Sequence, residues 1–288
     1  MKKKTYLIAL MAMALTLGSC SDNENGIGGE TSKYITVSTS IGNMTRVATD
    51  ANGGQTFEEG DEISVYAWIG APTVAPETRE RVVNNAINKL TNGSWVATPQ
   101  MLWKNNRDKH YFIGVYPTAA ISDLSAGEYT FDANKQTESD LLVAVNPDGL
   151  SYSADAQQTV PLTFTHVMAK LAVNLTYKNQ WGGIPTVEKV VVGNAAKEAT
   201  INYLTKVVTP STTAKEDFSL PEITENTKYV SVIIPQEEVT QLTIVIGGKN
   251  FVYDNGTPFK LESGKITTVN LEVGRDEIKR NYSAPLWA

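Results

Sequence analysis

Cysteine is nearly absent from this chain, with one among 288 residues, at position 20. No intramolecular disulfide can therefore staple the fold. Histidine is almost as scarce, and His110 and His166, far apart in sequence, make a poor zinc site. Positive charge is not in excess: 25 Lys and Arg against 31 Asp and Glu leave a formal charge of −6. That balance supplies no basic stripe, so nucleic acid is excluded as a partner. Catalytic signatures are missing too. There is no G-x-S-x-G elbow, no G-x-x-x-x-G-K-[ST] loop, no H-E-x-x-H helix and no G-x-G-x-x-G after a strand. Gly264-Lys265-Ile266-Thr267 keeps only the end of a phosphate loop, within a strand pattern. The adjacent carboxylates Glu58-Glu59 and Glu237-Glu238 fall in expected turns. The chain reads as a non-enzyme with no metal and no cofactor.

Long hydrophobic runs are lacking as well. The longest apolar stretch, Tyr6 to Leu17, follows Lys2-Lys3-Lys4 and is shorter than the ~20 residues a membrane helix needs. It reads as a secretory signal over residues 1–19. The signal ends in Leu17-Gly18-Ser19-Cys20, which resembles a bacterial lipobox, so Cys20 is the expected acylated residue. Residues 20–32 are polar, acidic and Gly-rich, the composition of a flexible tether. Asp22, Glu24 and Gly26 lack the spacing of a calcium loop.

What the chain does have is alternation. From Lys33 to Arg46, Ile35, Val37 and Ile41 alternate with Thr36, Ser38 and Ser40, while Thr39 stands where a third apolar residue would fall. That period of two predicts a half-buried strand. Val47 to Gln55 is small, polar and loop-like. Further strands are expected over 62–68, 83–90 after a helical turn, 94–96, 99–103, 109–116, 127–131 and 140–145. Beyond these come 160–166, 168–177, 186–193, 198–204, 229–235, 241–246, 250–253 and 265–273. Gly247-Gly248 predicts a hairpin turn, and Thr209 to Asp217 reads as a loop. The N-P-D-G run at 146–149 and the polar 151–158 suggest a boundary between an N-terminal unit, 33–158, and a C-terminal unit, 159–288. Short strands with turns throughout predict an all-β sandwich fold.

Several stretches together are similar to one family. They are the lipobox, Thr45-Arg46, F-E-E-G-D-E-I-S-V-Y-A from Phe57, H-Y-F-I-G-V-Y-P from His110, D-L-L-V-A from Asp140, L-T-F-T-H-V-M-A-K-L from Leu162 and G-K-I-T-T-V-N-L from Gly264. In that order they resemble the Bacteroides-type fimbrillins, the type V pilins. The resemblance implies two tandem transthyretin-like β-sandwich domains in a lipoprotein anchored in the outer membrane and exposed in a fimbrium. It implies that an Arg-specific surface protease cuts after Arg46 and removes the strand over 33–46, with Ile35, Val37 and Ile41 as its plug residues. A strand from another fimbrial subunit then fills the groove by β-strand addition. The corresponding donor in this chain lies in 275–288, and the function implied is adhesion to host or bacterial surface ligands.

A second reading is a surface glycan-binding lipoprotein, whose aromatic rings stack on sugars. Trp68, Trp95 and Trp103 sit within strand patterns and are expected in the core. Trp181, beside Gly182-Gly183 in a loop, is the expected exposed contact.

Overall fold

The computed structural model describes residues 33–42, 56–153 and 158–281. The first strand, β1 (Thr36–Ile41), is followed by β2 (Glu62–Ile69), β3 (Arg81–Thr91), β4 (Ser94–Thr98), β5 (His110–Tyr116), β6 (Gly127–Thr130), β7 (Leu142–Leu150) and β8 (Thr159–His166). All but β6 join one seven-stranded sheet in the order β1-β8-β7-β5-β2-β3-β4. The expected helical turn is the 3₁₀ segment Thr78–Glu80, directly before β3.

The central strands of this sheet are buried on both faces. In β2, Ile63, Val65 and Ala67 face one core while Tyr66 and Trp68 face another. A strand covered on both sides needs an almost continuous apolar run, which E-I-S-V-Y-A-W-I supplies. One face curls on itself. Its core takes Ile35 and Val37 from β1, Phe112 from β5, Leu162 and Phe164 from β8, and Met101 and Trp103 from the segment after β4. Gly114 lets this happen: a Cβ there would lie 2.6 Å from the Phe164 ring.

The remaining strands are β9 (Ala169–Tyr177), β10 (Lys189–Ala196), β11 (Glu198–Asn202), β12 (Val207–Pro210), β13 (Lys215–Ser219), β14 (Glu222–Thr224), β15 (Lys228–Ile233), β16 (Gln241–Ile246), β17 (Lys249–Asp254), β18 (Ile266–Val273) and β19 (Ile278–Arg280). They form a five-stranded sheet, β14-β15-β9-β18-β19, and a four-stranded sheet, β13-β10-β16-β17, while β11 and β12 join β6 in a three-stranded sheet, β12-β11-β6. Leu171, Val173 and Leu175 of the first meet Val190, Val192, Leu242 and Ile244 of the second in one core, the pattern of a sandwich. The second face of the N-terminal sheet, through Tyr66, Trp68, Ile113, Val115 and Val143, belongs to that same core. The fold is all-β.

Three local expectations need correction. The N-P-D-G run at 146–149 is not a turn between units but part of β7, where the register against β5 shifts between His110 and Phe112. The Asn146 side chain accepts the Gly149 N–H at 3.0 Å, and Gly149 takes φ 63°, so turn chemistry is used inside a bulged strand. Consequently the sheets do not divide at 158/159. β8 pairs with β1 and β7, and membership changes only after His166. The units also interlock, because β6 leaves the N-terminal sheet and pairs with β11. The supposed loop at 209–217 contains part of β12 and of β13, two edge strands whose polar residues face solvent. Finally, 99–103 is not a strand; within it only Leu102 makes a bridge, to Tyr34.

Candidate functional site

The site is the groove that holds β1. Its floor is β8, which runs parallel to β1 with Thr36 opposite Thr159 and Ile41 opposite Phe164. β7 pairs with β8 only from Phe164 to His166. Among the described residues, the Thr159–Thr163 half of β8 therefore has β1 as its only ladder partner.

Side chains follow the alternation. Ile35 and Val37 are buried at 1% and 6% relative exposure, and Ile41 is half-buried at the far end. Burying two such aliphatic side chains is worth about 1.5–3 kcal/mol each. On the outer face hydroxyls form a ladder, Thr36 Oγ1 with Thr159 Oγ1 and Ser40 Oγ with Thr163 Oγ1, both at 3.2 Å. Backbone bonds clip both ends. The Ile35 N–H donates to Met101 O at 2.9 Å, Trp103 N–H to Lys33 O at 3.1 Å, and Gly42 N–H to Phe164 O at 2.8 Å.

Along its other edge β1 faces β4 across a groove of about 880 Å³. A side-chain bond crosses it. The indole N–H of Trp95 donates to Thr39 Oγ1 at 3.0 Å. Phe57 roofs this region, its ring edge-on to Trp95, Tyr116 and Phe164 at 5.2–5.3 Å. The turn behind Phe57 is tied to the sheet: Glu58 N–H donates to Asp61 Oδ2, and the Leu90 N–H to Asp61 O, both at 2.8 Å. Ile41, Thr56 and Phe57 also line a second cleft, of about 650 Å³, between the two groups of sheets. On its wall Asp140 accepts from His166 Nδ1 at 2.7 Å and pairs with Lys170 Nζ at 2.9 Å. Burial pushes the Asp140 carboxyl up, but the His166 bond and the Lys170 ammonium outweigh it and hold the pKa below the usual value.

The second histidine, His110, is fully buried edge-on against Trp103. Its Nε2 accepts the Lys104 N–H at 3.1 Å while Nδ1 lies 3.1 Å from Asp108 O, so the Nδ1–H tautomer satisfies both. Burial pulls its pKa below the ordinary histidine value. Among the described residues no group of three or more His, Cys, Asp or Glu could hold a metal ion.

Trp181 is not the free aromatic platform expected. It is half-buried, donates its indole N–H to Val273 O at 2.9 Å, packs on Phe251 and lies under the Arg275 guanidinium. Trp68 and Trp103 are core residues. Cys20, Arg46 and Trp287 lie outside the described residues, as do the signal and tether. Of 275–288, residues 278–280 form β19 on the edge of the five-stranded sheet, and 282–288 lie outside the described residues. Sequence reasoning missed Trp95, Phe57 and the Met101–Trp103 clip as parts of the site. Only Thr39, the break in alternation, carried a signal for the first of them.

The described residues thus define an all-β protein whose first strand is laid into a groove. The comparisons with known proteins make this specific. The profile of the fimbrillin-like family matches residues 45–283, and the chain belongs to that family. A solved structure of a candidate cell adhesion protein from Bacteroides uniformis ATCC 8492 is similar at 17% identity and TM-score 0.64, over 88% of this chain and 98% of that one. A counterpart from Bacteroides ovatus ATCC 8483 gives 17% identity and TM-score 0.62, over 86% and 95%. The tip fimbrial protein Mfa3 from Porphyromonas gingivalis, truncated at its C-terminus, gives 11% identity and TM-score 0.50, over 80% and 95%. No curated protein matches the chain.

Proposed function

We propose that this protein is a non-enzymatic fimbrial subunit serving cell adhesion, exported as a lipoprotein acylated at Cys20 and held in the outer membrane by that anchor. An Arg-specific surface protease cuts after Arg46, β1 leaves, and a strand from another fimbrial subunit takes its place. The observation that carries the reading is the dependence of β8 on β1. Losing β1 strips Thr159–Thr163 of its ladder partner and uncovers the core lined by Val160, Leu162 and Phe164. An unpaired edge beside an apolar trough is a template for strand addition. The parallel ladder is also slightly weaker per residue than an antiparallel one, which favours an exchangeable strand. Ile41 and Thr56, which flank the segment that contains Arg46, both line the second cleft.

The test is to treat the full chain with a trypsin-like protease and look for SDS-resistant ladders, alongside Arg46→Ala. Cleavage at Arg46 with ladders that vanish in the variant is the expected result. Ladders formed equally well by Arg46→Ala, or no cut at Arg46, would refute the reading. Glycan binding at Trp181 finds no support in a half-buried ring whose indole N–H is already bonded.

A further inference from the structure

We propose that Trp95 sets a side-chain code for the groove, such that any strand replacing β1 must carry a hydrogen-bond acceptor where Thr39 stands. The inference rests on the strand-exchange reading above and adds the chemistry of the partner. Three inward positions are filled by Ile35, just before β1, and by Val37 and Ile41 within it, and alternation alone would place a fourth aliphatic residue at 39. Thr39 stands there instead, and its hydroxyl oxygen accepts the Trp95 indole N–H at 3.0 Å. Phe57 packs edge-on against the Trp95 ring and fixes its orientation, and the bond itself is part-buried in the groove. An aliphatic residue at 39 would leave the part-buried indole N–H without its protein acceptor, a loss of about 1 kcal/mol. Trp95 also belongs to β4, on the body side of Arg46, so it stays to meet the next occupant.

The code in the direction of β1 is therefore aliphatic, any, aliphatic, any, acceptor, any, aliphatic. No window of residues 275–288 fits it in either chain direction: those that begin on an apolar residue fail at Arg280, Asn281, Ala284 or Leu286. Residues 278–280 are in any case paired to β18. Residues 275–288 of a second copy therefore do not meet the code, and we assign the groove to a strand of a different subunit.

The test uses the full chain cut at Arg46 and fluorescent peptides spanning residues 33–42, one with the native Thr39 and two carrying T39S or T39V, plus a peptide of residues 275–288. The native and T39S peptides should bind about fivefold more tightly than the T39V peptide. On a W95F body that preference should disappear, and the 275–288 peptide should not bind at all. In the uncut chain, T39V should speed solvent exchange of the Trp95 indole proton by NMR, while T39S should not. Peptides that enter without preference, or an indole proton indifferent to T39V, overturn the code while leaving strand exchange intact. If no peptide enters, strand exchange itself fails and the code falls with it. Tight binding of the 275–288 peptide overturns the assignment to a different subunit.

Discussion

At the scale of single residues, Ile35 and His110 hold opposite sides of the clip that fixes the start of β1. Ile35 is buried among residues that cannot collapse easily, since Met101 and Trp103 are themselves pinned by backbone bonds to Lys33 and Ile35. Ile35→Ala should cost about 2–5 kcal/mol in chemical denaturation, against well under 1 kcal/mol for the exposed Ser38→Ala. His110 supports Trp103 from behind in its neutral form. Because burial lowers its folded pKa, its contribution is complete above the ordinary histidine value near ~6.5 and is lost as pH falls toward the folded value. Lys104 reinforces that shift, while the Asp108 contacts oppose it. Stability measured between pH 7.5 and 5 should fall for the wild type and fall less for His110→Gln. Asp140 acts lower on the scale. Its depressed pKa gives stability that is present above the normal carboxylate range and lost as pH drops through the folded value. Asp140→Asn should flatten that acid limb.

At the scale of elements, β1 was legible in the sequence because a period of two survives in a strand with one buried face. The paired register with β8 was not, since parallel partners are far apart in sequence and side-chain pattern does not name them. β2 was legible from alternation and β5 from its aromatic and β-branched residues ending at Pro117. β12 and β13 were not, because edge strands carry charge such as Lys215, Glu216 and Asp217 that reads as loop. Asn146 to Gly149 deceived for a different reason: the same side-chain-to-backbone bond that makes a turn also makes a bulge. Thr39 was visible as an irregularity whose meaning needed Trp95, a residue brought to it from another strand. Hydrogen exchange offers the element-scale test. After cleavage and removal of β1, the amides of Val160, Leu162 and Thr163 in β8 should lose protection, while those of β2 and β5 keep it.

For the whole molecule, the two groups of sheets are not independent beads. They share one core, β6 is paired to β11, and Gln136 Oε1 accepts the Val232 N–H at 2.7 Å. Calorimetry of the full chain should show one cooperative transition, and a fragment ending at His166 should not fold alone, because Tyr66, Trp68, Ile113 and Val143 would face water. None of this sharing could be read from the chain, where the polar stretch at 151–158 suggested separation.

The claim at the centre is that β1 is a replaceable part of a stable body. The most direct measurement is mass spectrometry under native conditions, on the chain cut at Arg46 and incubated with an isotope-labelled peptide of residues 33–42. The account predicts that the body retains its fold, releases its own N-terminal fragment and gains the labelled peptide in equal molar amount. A body that unfolds when cut, or that keeps its own strand and excludes the peptide, would contradict it.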